Sequence, residues 1–354
     1  MPPAIRYCPT SAGRIAYSAT GSGPPLLLDP GWVSHVGRQV EWFSFGSFVA
    51  GLAERFTVIR YDKPGCGLSD RERADLSFGT QVDVALAVAD AMGADRFRLF
   101  GASQGGHLAA AIAARYPDRV QALVLYGTCA DGRDLAPAEV RESIVALMRA
   151  NWGLGSKLLN GIFIPDPSAA EVQTLARIQQ ECASAEVAVQ MLEVYYGTDV
   201  RPLLPAIGAR TAVLHREADP ATAFRLGREV AALIPGATLI PLPGSSHLFY
   251  HGAWTEVLDV TIEFLGEGEA APGAGPAERE PEIAAGPRLT GRELEVAGLV
   301  ATGLTNHAIA RRLSIAPRTA EAHVENIRRK LGVRSRAQIA AWVTEHRLSS
   351  GPPR

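Results

Sequence analysis

Short apolar runs alternate with helical stretches of mixed polarity along the first three-quarters of the chain. Leu26-Leu27-Leu28 and Phe56–Tyr61 read as short buried strands, and Phe97–Phe100, Ala122–Tyr126, Thr211–His215 and Thr238–Leu242 read as further strands. Between them, Glu41–Glu54 sets Trp42, Phe45, Val49 and Leu52 at helical spacing. Gln81–Met92, Gln104–Tyr116 (stopped by Pro117), Ala221–Ile234 and Trp254–Leu265 also read as helices. Ile5–Tyr7 and Gly13–Ala19 form two further short strands about a turn. Strands alternating with helices at this pace predict an α/β fold, a mostly parallel sheet with helices on both faces.

From Pro137 to about Leu203 the alternation lapses into helix alone, with breaks expected at Gly153, Gly155, Pro165–Pro167 and Gly197. That is long for a crossover and predicts a helical cap over the sheet, at about 130–205. Residues 266–287 are largely Gly, Ala, Pro and Glu and cannot bury enough surface to offset chain entropy, so they read as a linker. The expected division is a body over 1–265, the linker, and a small all-α domain over 288–354.

Charge sharpens that division. The net charge of the 354 residues is −2, yet residues 288–347 hold eleven Arg or Lys against five acids, leaving the rest of the chain at −8. A small basic module on an acidic body predicts a polyanionic partner for the module alone. The four cysteines are scattered singly, which argues against disulfide or metal frameworks and for a reducing compartment. No charged-then-apolar leader opens the sequence and no apolar run reaches membrane-spanning length, so the expectation is a cytoplasmic protein without membrane contact, metal or cofactor. No internal repeat is visible.

The chemistry centres on Leu99-Phe100-Gly101-Ala102-Ser103-Gln104-Gly105-Gly106, where an apolar run meets a helix through a Gly-x-Ser-x-Gly pentad. A serine on such a turn projects its hydroxyl above the sheet edge. To act as a nucleophile it needs a base, a carboxylate to orient that base, and donors for an oxyanion. His247 follows the last predicted strand and Asp219 the one before it, both at C-terminal strand ends, where open parallel sheets build their sites. Glu217 and Asp131 are competing carboxylates. The backbone N–H groups of Gln104, at a helix start, and of Trp32, after the strand Leu26–Leu28, are the candidate oxyanion donors.

Five motifs in this order resemble the alpha/beta-hydrolase superfamily over about residues 1–265. They are Asp29-Pro30-Gly31-Trp32, the Asp62–Asp70 run, Gly101–Gly106, Leu214–Asp219 and Gly244-Ser245-Ser246-His247. The resemblance implies a Ser103–His247–Asp219 triad, Trp32 and Gln104 as oxyanion donors, and a cap that shapes the pocket. Pro30 stands where many relatives carry histidine, and Pro64 where arginine is frequent. Apolar residues of the cap, Met148, Trp152, Phe163, Met191 and Tyr195, are expected to line a pocket for a small, mostly apolar ester, lactone or acyl compound. His107 is expected to be a packing residue of the elbow helix, and Cys66 and Cys129 small buried hydrophobes.

In the basic module, Thr290-Gly291-Arg292-Glu293 is a capping box before a helix expected to bury Leu294, Ala297, Leu299, Val300 and Ala301. Thr305 caps a short helix, Asn306–Leu313. Pro317 then opens a helix to Leu331 whose Ala320, Val324, Ile327 and Leu331 form an inner stripe. Two helices about a tight turn, the second charged outward, make a helix-turn-helix that places the second in the DNA major groove. A last helix is expected over Ala337–His346.

Leu289-Thr290-x-Arg292-Glu293-x-Glu295-Val296, Gly303-Leu304-Thr305-Asn306-x-x-Ile309-Ala310, Thr319-x-x-x-His323 and Lys330-Leu331-Gly332-Val333-x-Ser335-Arg336 closely resemble the LuxR-type DNA-binding domain. The resemblance implies double-stranded DNA as partner, bound by a homodimer through its last helix at half-sites about one helical turn apart. Arg311, Arg312, Arg318, Arg328, Arg329, Lys330 and Arg336 are the expected phosphate contacts, with Thr319, Glu321, Ala322 and Glu325 on the groove face. Together the halves predict a ligand-responsive transcriptional regulator with a hydrolase-like sensor. The alternative is an active serine esterase or lactonase that its DNA-binding domain localises or feeds back upon.

Overall fold

The computed structural model describes residues 4–29, 31–72, 75–267, 289, 291–302, 304–313, 315, 317–331, 333, 335, 336, 338–340, 342 and 343. Strands β1 (Ile5–Thr10) and β2 (Gly13–Thr20) pair as a hairpin. β3 (Pro25–Asp29), β4 (Thr57–Tyr61), β5 (Phe97–Ala102), β6 (Val120–Tyr126), β7 (Arg210–Arg216) and β8 (Thr238–Leu242) complete one sheet, in the order β1-β2-β4-β3-β5-β6-β7-β8. Only the β1–β2 and β2–β4 pairings are antiparallel. The mostly parallel sheet expected from the apolar runs is therefore present. Its central strand, β5, is buried along its whole length, and its one charged residue, Arg98, is accommodated by donating from Nε to the Leu265 carbonyl at 2.7 Å.

Helices α1 (Phe45–Ala53), α2 (Phe78–Ala91) and α3 (Gln104–Arg115) connect the first strands. The α1 register is the one its apolar spacing dictates, with Phe45, Phe48, Val49 and Leu52 buried, but the helix begins four residues later than predicted, after a 3-10 turn at Gln39–Glu41. The helical segment between β6 and β7 holds α4 (Ala138–Ala150), α5 (Trp152–Phe163), α6 (Ala169–Cys182) and α7 (Ala185–Gly197). The break expected at Gly153 and Gly155 falls instead at Asn151, whose side chain accepts the Leu154 N–H at 3.0 Å, and both glycines lie inside α5. At the foot of this segment its incoming and outgoing chains bridge at Asp131 and Asp199, with Arg133 and Arg201 pairing across both carboxylates. Helices α8 (Phe224–Leu233) and α9 (Trp254–Gly266) close the unit.

The second compact unit holds α10 (Gly291–Ala301), α11 (Asn306–Leu313) and α12 (Pro317–Leu331), around a core that includes Val296, Ala297, Val300, Ile309, Ala320, Val324 and Ile327. The bounds of α11 and α12 are those read from the sequence, and Thr305 Oγ1 caps α11 by accepting the Ala308 N–H at 3.3 Å. Leu294 is not on the buried side of α10: it is 50% exposed. The inner stripe runs 293, 296, 297, 300, and Glu293 takes its first position because its carboxylate pairs with Lys330 Nζ at 3.0 Å. Thr290 of the capping box, most of the linker at 266–287 and the ends of the last helix lie outside the described residues. Among the described residues no helix is long and apolar enough to cross a membrane.

Candidate functional site

The site is built on the C-terminal edge of the sheet. Ser103 sits between β5 and α3 with a φ of 53°, a left-handed conformation that costs a non-glycine residue free energy and is held here by its neighbours. Its N–H donates to the Tyr126 carbonyl at 2.8 Å, and its carbonyl accepts the Thr128 hydroxyl at 2.8 Å. The flanking glycines are there because nothing larger fits. A Cβ on Gly101 would stand 2.4 Å from the Gly105 carbonyl oxygen, and one on Gly105 would stand 2.4 Å from Asp29 Oδ1.

His247 and Asp219 arrive on the loops after β8 and β7. His247 Nε2 lies 2.9 Å from Ser103 Oγ, and its Nδ1 lies 2.7 Å from Asp219 Oδ2. The carboxylate fixes the tautomer, since only a protonated Nδ1 makes that contact, leaving Nε2 to accept from the serine hydroxyl. The His247 ring stacks on Phe163 at 5.5 Å between centroids, and its backbone N–H donates to the Phe163 carbonyl. Asp219 Oδ1 accepts the N–H groups of Ala221 and Thr222 at 2.9 and 3.1 Å. Burial pushes the Asp219 carboxyl up, but the His247 charge and hydrogen bond and the Thr222 N–H outweigh it and hold the carboxyl below its ordinary range. The competing carboxylates lie elsewhere: Glu217 is exposed, and Asp131 pairs with Arg133 and Arg201.

The first N–H of α3 belongs to Gln104 and has no acceptor within its own helix. Trp32 shares a cavity wall with Ser103 and His247. The loop carrying Trp32 is anchored by a residue to which the sequence reading gave no role. Asp29, at the end of β3, accepts the Gly31 N–H at 3.2 Å and the Tyr61 hydroxyl at 2.6 Å and pairs with the fully buried Lys63 at 3.2 Å. A buried carboxylate held by two hydrogen bonds and an ion pair is rigid, and it fixes this loop against Gly105 of the elbow.

Two lobes meet at Ser103, sharing Trp32, Ser103, Phe163 and His247. The larger, about 250 Å³, is walled by Val140, Ile144, Leu159, Ile162, Leu192 and Tyr195; the smaller is about 60 Å³. Of the residues expected in the pocket, Phe163 and Tyr195 are on its wall and three are not. Met148 is fully buried in the helical layer beside Gly155. Met191 is also fully buried, and its carbonyl accepts the Gln104 Nε2 amide at 2.9 Å. Trp152 stands behind the wall, edge-on to Trp32 at 6.1 Å, with its indole N–H donating to the Ala183 carbonyl. His107 packs as expected, with Nε2 at 2.9 Å from the Cys129 carbonyl, and burial lowers its pKa to about 4. Among the described residues no group of His, Cys, Asp and Glu side chains could hold a metal ion.

In the C-terminal unit, Arg311, Arg312, Thr319, Glu321 and Glu325 are exposed on α11 and α12. Arg328 pairs with Glu325 at 2.8 Å. Arg318, Ala322 and Arg329 fall on α12, but their side chains lie outside the described residues. Two more of the expected phosphate contacts are engaged within the unit. Lys330 pairs with Glu293, and Arg336 donates to Asn306 Oδ1 at 2.7 Å and to the Leu304 carbonyl, with burial lowering its pKa.

Residues 24–253 match the model of the alpha/beta hydrolase fold, and residues 287–343 that of bacterial regulatory proteins of the luxR family. Haloalkane dehalogenase 2 of Mycobacterium tuberculosis is 26% identical over 286 residues, covering 74% of this chain and 94% of that protein. Pimeloyl-[acyl-carrier protein] methyl ester esterase of Nitrosomonas europaea is 26% identical over 243 residues, covering 66% and 92%. The crystal structure of the enol-lactonase from Burkholderia xenovorans superposes with a TM-score of 0.64 at 24% identity, over 74% of this chain and all of that one. The hydrolase match spans well over half the sequence: the chain belongs to the alpha/beta hydrolase fold family, and it carries a C-terminal helix-turn-helix domain of the luxR family of bacterial regulators.

Proposed function

We propose that this is a ligand-responsive transcriptional regulator whose sensor, over residues 1–265, is a serine hydrolase domain for a small, mostly apolar ester, lactone or acyl compound. The observation that carries the reading is the unbroken Ser103–His247–Asp219 hydrogen-bonded line at the meeting point of a larger and a smaller lobe, in a chain that carries a luxR-family domain. On this reading Ser103 Oγ attacks the carbonyl carbon while His247 Nε2 takes its proton. Asp219 stabilises the imidazolium, and the N–H groups of Gln104 and Trp32 receive the oxyanion. His247 then protonates the departing alkoxide; in a lactone the freed hydroxyl stays on the acyl chain. Water, deprotonated by His247, releases the acyl group.

The DNA-reading half, residues 288–354, would act as a homodimer on double-stranded DNA, with Arg311 and Arg312 the best-placed phosphate contacts among the described side chains. A ligand shifts such an equilibrium only through different affinities for the two states, and the α4–α7 cap over the lobes is the element we assign to move. The same serine geometry favours a second reading, an esterase or lactonase first, with the DNA-binding domain localising it or giving feedback.

Ser103→Ala separates them. A variant without ester turnover that still regulates its promoter with ligand supports sensing by occupancy. One that binds ligand but no longer regulates supports signalling by acylation or turnover. A parent protein that a fluorophosphonate does not label at Ser103 refutes the serine chemistry.

A further inference from the structure

The small lobe beside Ser103 is not lined as an apolar pocket should be. Two glutamines face it: Gln39, from the 3-10 turn following the Trp32 loop, and Gln179, from α6 of the cap. Gln39 is 1% exposed and Gln179 3%. Neither Nε2 nor Oε1 of Gln39 has a hydrogen-bond partner among the described residues, nor has Oε1 of Gln179. The surrounding wall is apolar, formed by residues such as Trp42, Leu175, Ile178 and Phe249. Three unpaired polar atoms on two residues that line one cavity are costly unless a group entering the cavity pairs with them.

We propose that this lobe is a specificity subsite for a neutral group that both donates and accepts hydrogen bonds, a hydroxyl or a carboxamide carried by the ligand near its reacting carbonyl. Gln39 offers an amide donor and a carbonyl acceptor, and Gln179 adds a second acceptor. Among the described residues no charged side chain lines the lobe, so a carboxylate or ammonium there would be buried without a counter-ion. A volume of about 60 Å³ admits only a few non-hydrogen atoms, which leaves the larger lobe for the apolar remainder. The ligand class is thereby narrowed from any apolar ester to one bearing a polar substituent on one side and a hydrocarbon portion on the other. Because Gln39 belongs to the body and Gln179 to the cap, the same group bridges the two. A ligand that carries it ties the cap to the body, and one that lacks it merely occupies the cavity.

This inference rests on the ligand binding at Ser103, and its test keeps the two apart. Full-length Ser103→Ala protein is titrated calorimetrically with methyl esters in matched pairs, a methyl group of the acyl chain replaced by hydroxyl or carboxamide at successive positions. At least one polar member is expected to bind about tenfold or more tightly than its apolar partner. Adding Gln39→Leu or Gln179→Leu is expected to bring that ratio to about one, with binding of the apolar member unchanged or tightened. The Gln39→Leu protein should also melt higher than its parent, because two unpaired buried groups are gone; where it does not fold, Gln179→Leu carries the test.

Equal binding within every pair, or a polar preference that survives both substitutions, overturns the subsite and leaves the lobe to water alone. Fluorophosphonate labelling of the parent protein is scored separately. Labelling without polar preference refutes only the subsite, and polar preference without labelling refutes only the serine chemistry.

Discussion

Asp219→Asn changes a single atom in the hydrogen-bonded line. The asparagine oxygen can still accept from the Ala221 and Thr222 N–H groups, at 2.9 and 3.1 Å in the parent, which keeps the loop folded. Its NH2 then replaces the oxygen that lies 2.7 Å from His247 Nδ1. Donor would face donor unless the imidazole moves its proton to Nε2, and that N–H would point at Ser103 Oγ, 2.9 Å away. His247 could no longer accept the serine proton. Loss of the correct tautomer in a serine–histidine–aspartate site costs about 10⁴ in turnover, equivalent to about 5.5 kcal/mol of transition-state stabilisation.

The fold should lose about 2 kcal/mol, the worth of one charge-assisted buried hydrogen bond. The assay is the second-order rate of fluorophosphonate labelling together with hydrolysis of a short chromogenic ester, on protein whose melting curve shows it folded. Asp131→Asn is the control. It disturbs the Arg133 and Arg201 pairs but stands outside the line, so its rates should stay within a few-fold of the parent. A folded Asp219→Asn protein within tenfold of the parent, or an Asp131→Asn protein as slow as it, would refute the assignment.

Gly105→Ala should destabilise the body by about 1–3 kcal/mol as an overpacked site, since the new Cβ would stand 2.4 Å from Asp29 Oδ1 and 2.8 Å from its backbone oxygen. The denaturant midpoint reads this, and an unchanged midpoint would show that Asp29 can give way. In the DNA-binding unit, Arg311→Gln with Arg312→Gln should weaken binding across all sequences and flatten the slope of log K against log salt by about 2. An unaltered slope removes both from the phosphate contacts. Ser168 hydrogen bonds and His251 hold the Glu171 carboxyl at about 2, down from 4.5. A depressed carboxyl contributes stability that is present above its unfolded value and lost as pH falls through its folded one. Melting temperature should therefore fall more steeply between about pH 4.5 and 2 in the parent than in Glu171→Gln, and parallel curves would contradict the contact.

The strands and the elbow were legible because a buried strand is written as a short apolar-rich run and a sharp strand-to-helix turn needs small residues around it. Leu99-Phe100-Gly101 shows both signals at once, and the loops carrying Asp219 and His247 could be placed by counting strands. The pocket wall was less legible. On a helical cap, residues facing a cavity and residues facing a neighbouring helix are both apolar at the same spacing, so Met148 and Met191 read like Phe163 and Tyr195. Leu294 was misplaced for a related reason: periodicity cannot foresee that Glu293 will occupy an inward position because a lysine thirty-seven residues away pairs with it. Gln39 lies in the sequence among Arg38 and Glu41, and Gln179 beside Gln180 and Glu181, which reads as a solvated face in each case. Only tertiary packing reveals that both are buried. Asp29 and Lys63 stood within recognised motifs, but their ion pair joins two loops that the sequence alone does not bring together.

Occupancy at Ser103 is expected to be read out on DNA. The direct measurement is the affinity of full-length protein for DNA, with its salt dependence, before and after stoichiometric fluorophosphonate labelling, with Ser103→Ala treated identically as the unlabelled control. Coupling between two sites in one protein is commonly about 5–150-fold. Labelling is expected to shift Kd by at least about fivefold, in either direction, with no shift in Ser103→Ala. A fully labelled protein that binds DNA with the affinity and salt slope of the unlabelled one would contradict it.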